Sequence, residues 1–430
     1  MFNLTLLIGT KLKNRERKFL KETFWYSLTT ISFQFSRFFC FFVAAKILGP
    51  KQYGWWSLLS LFLLYRGITH FGVIPAMNRE IPFFIGKKDF DRVNKIRSVT
   101  FSYLLVFSFL SVVVFLFSVL LIKDRLLKCA LISMVILFFA TQLYHYFQVY
   151  LKSSIQFKIM SLQQMLFSVS LPLIVIPLTI KYKLLGFILG QALVIFVICL
   201  YIKKKICFRP VIDFDKKELI RLIKIGFPIM LVALFYGLFT SADRWIISAY
   251  MDSESLGFYS LGLLVGNSLF LLPRSLAEQI YPRMVKSFGE YGNLRILVIL
   301  KFKQLFLSLV IVIPLAILIC IFFPIVVEIF LPSYLPSIEV IKIIVVGFVF
   351  LTIANSFGVF LLSINKQIIY LFVTLFSVVL NIILSIMFVK FGYGIVGVAL
   401  GSAISYLIFS FCSFIAIIFI LKKYGGENAA

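Results

Sequence analysis

Four arginines, Arg37, Arg66, Arg244 and Arg274, stand inside long apolar runs, and they are the residues whose chemistry most needs an account. A guanidinium at the centre of a membrane helix costs about 2.5–3.5 kcal/mol on insertion scales. Four of them facing lipid would cost on the order of 10 kcal/mol, as much as the whole stability of an ordinary protein. They are therefore expected to face a protein interior or a wetted cavity. A planar guanidinium pairs bidentately with phosphate or carboxylate oxygens, so the expected ligand is an anion. By residue count Arg66 lies about 18 Å into its run, near the midplane, and Arg37 only slightly beyond the middle of its own. The competing reading is that each arginine pairs with a local acid or reaches an interface. Asp243 beside Arg244 and Glu278 one turn from Arg274 give that reading substance in the second half, whereas Arg37 and Arg66 have no acid within a turn. A cationic ligand would call for buried carboxylates instead. The intramembrane acids, Asp243, Glu278 and Glu328, sit toward the ends of their runs, and Asp243 and Glu278 are the residues an ion-coupled step would use.

A second polar set is Gln142, His145 and Gln148, spaced so as to share one helical face, with His70 and Asn78 on the second apolar run. Amides and imidazoles in membrane helices serve either as hydrogen bonds between helices or as a wall matching the hydroxyls of a sugar. His70 and His145 are the only histidines, and neither has metal-ligand company. The six cysteines are scattered with no CxxC pair and read as small apolar fillers. No GxxxxGK loop, GxSxG elbow, HExxH pair or acidic metal loop is present, so neither nucleotide-driven pumping nor metal chemistry is expected.

The elements that carry these residues follow from composition. The chain has 430 residues, 61% of them hydrophobic and only 14% charged, which is the composition of a polytopic membrane protein. Charged and turn-rich breaks divide it into about twelve runs of near-spanning length. They are Thr23 to Ile47, Gly54 to Ala76, Ser98 to Ile122, Leu126 to Tyr150, Met160 to Ile180, Leu184 to Ile202, Ile225 to Tyr250, Leu256 to Ile280, Leu305 to Leu331, Val340 to Ser363, Ile369 to Val389 and Ile395 to Leu421. All are expected to be helices, because a membrane strand is shorter and alternates. The net charge of +26 would point to nucleic acid in a soluble chain, but here the Lys and Arg lie in short connections between apolar runs. With a cytoplasmic amino terminus, about 30 of them fall on the cytoplasmic side and about 9 on the other, the positive-inside pattern. The organisation expected is a basic cytoplasmic segment 1–22, a first lobe 23–202, a basic linker 203–224, a second lobe 225–421 and a cytoplasmic tail 422–430.

The two lobes repeat. The turn Leu48-Gly49-Pro50-Lys51-Gln52-Tyr53-Gly54-Trp55-Trp56-Ser57 aligns with Met251-Asp252-Ser253-Glu254-Ser255-Leu256-Gly257-Phe258-Tyr259-Ser260, pairing Gly54 with Gly257 and Ser57 with Ser260. Leu184 to Ala192 matches Ile395 to Ala403, each with a GxxxG that lets helix backbones approach closely. Six helices per half preserve orientation, so the repeat is parallel, about an axis along the membrane normal.

Ala44-Ala45-Lys46-Ile47-Leu48-Gly49-Pro50-Lys51-Gln52-Tyr53-Gly54 resembles the ARxLGPxxYG signature of the O-antigen and capsule repeat-unit flippases (Wzx type), within the multidrug/oligosaccharidyl-lipid/polysaccharide exporter superfamily. Asn78-Arg79-Glu80-Ile81 is similar to the polar end of that family's second helix. Gly226-Phe227-Pro228, Ala242-Asp243-Arg244 and Leu256 to Ser260 are similar to its seventh and eighth helices. The resemblance covers nearly the whole chain. It implies an all-α integral membrane fold of about twelve helices in two pseudo-symmetric six-helix lobes, MATE-like and V-shaped. It implies transport and no enzymatic step: a polyprenyl-diphosphate-linked oligosaccharide, undecaprenyl diphosphate being the carrier, crosses a bacterial cytoplasmic membrane by alternating access. Arg37, Arg66, Arg244, Arg274, His70, Asn78, Gln142 and His145 would bind the substrate. No cofactor is implied beyond coupling to a Na+ or H+ gradient. A polymerase and a chain-length regulator are the implied protein partners, and both termini are cytoplasmic. The two extra helices of the related peptidoglycan-precursor flippases are missing. Three rival readings are an ion-coupled exporter of small cationic compounds, a glycan polymerase or ligase, and a scaffold. The absence of a sizeable outer loop with catalytic acids weighs against the polymerase, and four inward cations weigh against the scaffold.

Overall fold

The computed structural model describes residues 2–120, 122–154, 156–206, 211–291, 294–364 and 366–427. Its elements in order are α1 Phe2–Leu64, α2 Arg66–Thr69, α3 Val73–Gly86, α4 Phe90–Leu120, α5 Arg125–Ser153, α6 Phe157–Lys205, α7 Lys216–Phe239, α8 Ala242–Tyr250, α9 Ser253–Tyr291, α10 Leu294–Phe330, a 3₁₀ turn Pro332–Tyr334, α11 Ser337–Ser363, α12 Gln367–Lys390 and α13 Gly394–Glu427. No strand occurs among the described residues. Ten candidate membrane spans are present among the described residues. Two of them hold two runs each, turning at Gly49 (φ 70) just before Pro50 in α1 and at Lys183 (φ 51) in α6, so the twelve expected runs are all recovered as helix. Gly49 adopts a backbone that β-carbons resist, and Pro50 supplies a first helical residue with no N–H to satisfy.

Two expected helices are interrupted. The run Gly54 to Ala76 is not continuous: it leaves helical geometry at Tyr65, turns once through α2, and breaks again at His70, Phe71 (φ 47) and Gly72 (φ 84) before α3 begins. The run Ile225 to Tyr250 breaks at Thr240 and Ser241, between α7 and α8. No proline marks the second point, but Pro75 marks the first, having no N–H for the Phe71 carbonyl and a ring that crowds it; a tertiary cause adds to it. At Gly72 it is visible, because a Cβ there would overlap the backbone of Gly226 and a Cβ on Gly226 would overlap the Gly72 carbonyl. Two glycines thus let α3 and α7 cross backbone to backbone.

The chain divides into two compact units, the first made of Met1–Ala44 and Tyr65–Met230 and the second of Ala45–Leu64 and Leu231–Ala430. Within the first, the α6 hairpin closes with Gly186 against the Leu178 backbone and Gly190 against Val175. Within the second, Gly397 packs on Phe388 and Tyr393 and Gly401 on Ser385, so the two GxxxG segments do the same work in each repeat. The second unit also seats the 3₁₀ turn. Tyr334 is fully buried, donates its hydroxyl hydrogen bond to the Ala45 carbonyl at 3.0 Å, and meets Tyr53 and Phe258 edge to face.

Polar anchors at helix ends complete the frame. The Asp124 carboxylate accepts from the Leu127 N–H at the start of α5, and Asp252 accepts from the Ser255 N–H at the start of α9. Within the first unit, Glu218 of α7 is 4% exposed and takes hydrogen bonds from Arg92 and Arg221, while Arg221 also reaches Glu80 of α3 at 2.6 Å.

Candidate functional site

In the first unit the site is built around the interrupted helix. Arg66 opens α2, a helix of 4 residues, so its carbonyl already belongs to the last turn, where helical carbonyls lose their partners. Two groups fill the place. The Thr69 hydroxyl donates to the Arg66 carbonyl at 2.8 Å, and the Gln142 amide of α5 donates to that carbonyl at 3.3 Å and to the Thr69 hydroxyl at 2.6 Å. Gln142 is 1% exposed. Arg37 and Tyr144 lie within electrostatic reach of the Arg66 guanidinium, and Arg37 stands over the Phe41 ring at 5.5 Å. Arg66 is half-buried, whereas Arg37 is exposed on its helix.

His70 and His145 come together beside this turn, their ring centroids 6.1 Å apart. His70 is 1% exposed, and neither of its ring nitrogens has a hydrogen-bond partner among the described residues, nor does Nδ1 of His145 or Oε1 of Gln142. Both imidazoles lie near Arg66. Further along α5, Gln148 donates to Gln163 at 2.6 Å and Gln163 to the Tyr144 hydroxyl at 3.4 Å, a chain of amides ending beside the arginines. Asn78 is exposed on α3.

The second unit presents a parallel arrangement. Arg244 lies in the first turn of α8, just past the break, half-buried, with Nη1 donating to the Ser60 hydroxyl at 3.4 Å. Asp243 is 1% exposed, and its carboxylate takes the Arg244 backbone N–H at 2.8 Å, with Tyr259 and Tyr406 around it. The Asn381 amide of α12 donates to the Phe239 carbonyl at the break at 3.4 Å, while its oxygen accepts from Ser385 at 3.0 Å. Arg274 is exposed on α9 and within electrostatic reach of Tyr236. The side chain of Glu278, like Cys207, lies outside the described residues.

Of the sequence candidates, Arg37, Arg66, His70, Gln142 and His145 therefore gather in one unit, and Asp243, Arg244 and Arg274 belong to the other. Within their units Arg37 and Arg274 are exposed, while Arg66 and Arg244 are half-buried. Tyr144, Thr69, Tyr236 and Asn381 were missed. Tyr144 was within sight, since it adjoins His145, but tyrosine in a membrane helix carries no signal of its own. Among the described residues, no group of three or more His, Cys, Asp or Glu could hold a metal ion. The arrangement offers paired guanidiniums with neighbouring hydroxyl and amide groups, which is chemistry for holding an anion that carries hydroxyls.

The chain is similar to known proteins in sequence and in fold. The sequence model of a family described as "Polysaccharide biosynthesis protein" matches residues 19–288. A Shigella flexneri protein bearing the name "Putative O-antigen transporter" is 25% identical over 332 residues, covering 72% of this chain and 76% of that one. Among solved structures, an inward-facing multidrug resistance MATE family transporter of the MOP superfamily superposes with a TM-score of 0.75 at 15% identity, covering 93% of this chain and 96% of that one. The lipid II flippase MurJ in an inward closed conformation superposes with a TM-score of 0.74 at 16% identity, covering 91% of this chain and 87% of that one. At these identities the structural likeness establishes a shared fold.

Proposed function

The chain belongs to the polysaccharide biosynthesis protein family, and from that premise we propose that it is a flippase carrying a polyprenyl-diphosphate-linked oligosaccharide repeat unit across a bacterial cytoplasmic membrane. The observation that carries the reading is the pairing of Arg37 with Arg66 at an interrupted membrane helix. Charge-assisted hydrogen bonds contribute roughly 1.5–3 kcal/mol each, so two guanidiniums on one diphosphate offset much of the cost of taking its charge out of bulk water. Arg244 and Arg274 are further cations of the second unit, offered to the same class of anion. The lipid tail stays in the bilayer while the charged, hydroxylated head passes through protein, which spares the hydroxyls and phosphates a passage through hydrocarbon. Directional movement requires two states of unequal affinity for the head group, with no bond made or broken. Asp243, a carboxylate 1% exposed beside Arg244, is the residue through which a Na+ or H+ gradient would bias those states. A polymerase and a chain-length regulator then receive the unit on the outer face, both termini of the flippase remaining cytoplasmic.

The test is genetic and chemical. Arg37→Ala and Arg66→Ala are expected to abolish surface glycan while the protein remains inserted at normal levels, with lipid-linked glycan accumulating on the inner leaflet. Full surface glycan in both variants, or loss of glycan only when Asp243 is changed, would overturn the reading and favour an ion-coupled exporter.

A further inference from the structure

An interrupted helix is a liability unless its orphaned carbonyls are met, and a charged side chain at the interruption inherits whatever looseness remains. At the Arg66 turn one side chain from another helix does the meeting. The two N–H bonds of the Gln142 amide go to the Arg66 carbonyl and to the Thr69 hydroxyl, and that hydroxyl passes its own proton to the same carbonyl. The three groups form a closed triangle in which two hydrogen bonds converge on the Arg66 carbonyl. Gln142 is covered by protein, so it is not placed to touch a ligand from this position.

We propose that Gln142 is a positioning residue for Arg66: it clips the α2 turn to α5 and so fixes where the guanidinium points. The inference rests on the reading of Arg66 as a diphosphate ligand. The same device recurs in the second unit, where the Asn381 amide donates to the Phe239 carbonyl at the break that precedes Arg244. In both places an amide borrowed from a neighbouring helix answers a carbonyl at an interruption next to an arginine. Gln142 and His145 share a face of α5, so the same helix also sets the imidazole against His70. The sugar-wall reading of Gln142 would instead need its polar atoms to be reachable, and they are enclosed: Nε2 goes to the Arg66 carbonyl and the Thr69 hydroxyl, and Oε1 is buried.

The test is a double-mutant cycle on the purified full chain in nanodiscs, with undecaprenyl diphosphate as the probe. Gln142→Met keeps length and volume and removes both donors. It is expected to weaken probe binding about tenfold with the thermal midpoint little changed. Thr69→Val, which removes one corner of the triangle, is expected to give a smaller loss in the same direction. Arg66→Ala is expected to give a larger loss, and Gln142→Met added to Arg66→Ala no further loss, because a positioning residue has nothing left to position. Additive losses in the double variant, or unchanged binding in both Gln142→Met and Thr69→Val while Arg66→Ala binds poorly, would overturn the positioning role and leave the flippase reading standing. Unchanged binding in Arg66→Ala would overturn both.

Discussion

Gly54 and Gly257 meet backbone to backbone: a methyl group on Gly54 would lie 2.9 Å from the Gly257 nitrogen and overlap the Ser253 carbonyl, and one on Gly257 would overlap the Pro50 carbonyl. These are the two glycines that the turn repeat aligns with each other, so equivalent points of the duplicated hairpin pack on one another within the second unit. The obstacle to a side chain is main chain, which cannot rotate away. Gly54→Ala and Gly257→Ala are each expected to destabilise the protein by about 1–3 kcal/mol, the range for forced overpacking. Gly86→Ala, where nothing lies within 4 Å, is expected to be neutral or slightly stabilising. Thermal unfolding in detergent, read by tryptophan fluorescence, separates the two groups.

Glu218 is the hub of a small ionic network in the first unit, accepting from Arg92 at 2.9 Å and from Arg221 at 2.8 Å. The carboxylate is nearly enclosed while both guanidiniums are about one-third exposed, so the bonds are neither fully screened nor fully dry. Glu218→Ala is expected to cost about 1–2 kcal/mol, between the values for exposed and buried pairs. Glu218→Gln, which keeps one acceptor, should cost less. Raising the salt to 1 M is expected to shrink the difference between wild type and Glu218→Ala, since the screening length falls to about 3 Å. A difference indifferent to salt would mean that packing, and not charge, holds α3, α4 and α7 together.

Twelve helices, their order and the duplicated turn were legible because each rests on local signals: run length, basic connections, and Gly-Pro or GxxxG spacing. The interruption at Thr240 and Ser241 was not legible, whereas Pro75 marks the one at His70 to Gly72. Gly72 looks like any membrane glycine until Gly226 is seen against it, and Ser241 looks like any membrane serine. For the same reason the role of Gln142 stayed open between a hydrogen bond to another helix and a wall for sugar hydroxyls. Its type and helical face could be read, but whether its amide meets a ligand or a carbonyl on another helix depends on a break that only the fold reveals. Arg37 and Arg66 stand out because neither has an acid within a helical turn, a property written in their neighbours along the chain. Their differing exposure depends on neighbours across space.

Asp215 caps α7, accepting from the backbone N–H groups of Lys217 at 2.9 Å and Glu218 at 3.0 Å, and is bridged by the Lys95 ammonium at 2.6 Å. The Lys95 hydrogen bond first, and the Glu218 N–H next, pull its pKa down to about 2. The unfolded carboxyl titrates near 4. Because the folded value is the lower, the stability it contributes is fully present above pH 4 and is lost as pH falls through 2. Acid titration of the unfolding midpoint should therefore fall less steeply between pH 4 and 2 in Asp215→Asn than in wild type. Identical slopes would mean that the cap and bridge do not survive in solution.

Lys301 of α10 poses the opposite case, a cation with no anion. It is 1% exposed, it takes part in none of the ion pairs found among the described residues, and its ammonium sits 4.4 Å from the ring centre of Phe302, 4.1 Å from Phe357 and 5.7 Å from Phe360. Three ring faces stabilise a desolvated ammonium by about 2 kcal/mol or more in total, whereas removing it from water costs several kcal/mol. The two contributions oppose each other, and a methionine would avoid both. Lys301→Met is therefore expected to leave the unfolding midpoint unchanged or raise it. Phe357→Ala should cost about 3–5 kcal/mol, because it opens a cavity and strips a face from the ammonium at once. Their combination discriminates: if the rings exist to hold the charge, Phe357→Ala should be markedly milder in the Lys301→Met background, and equal losses in both backgrounds would show that Phe357 serves packing alone.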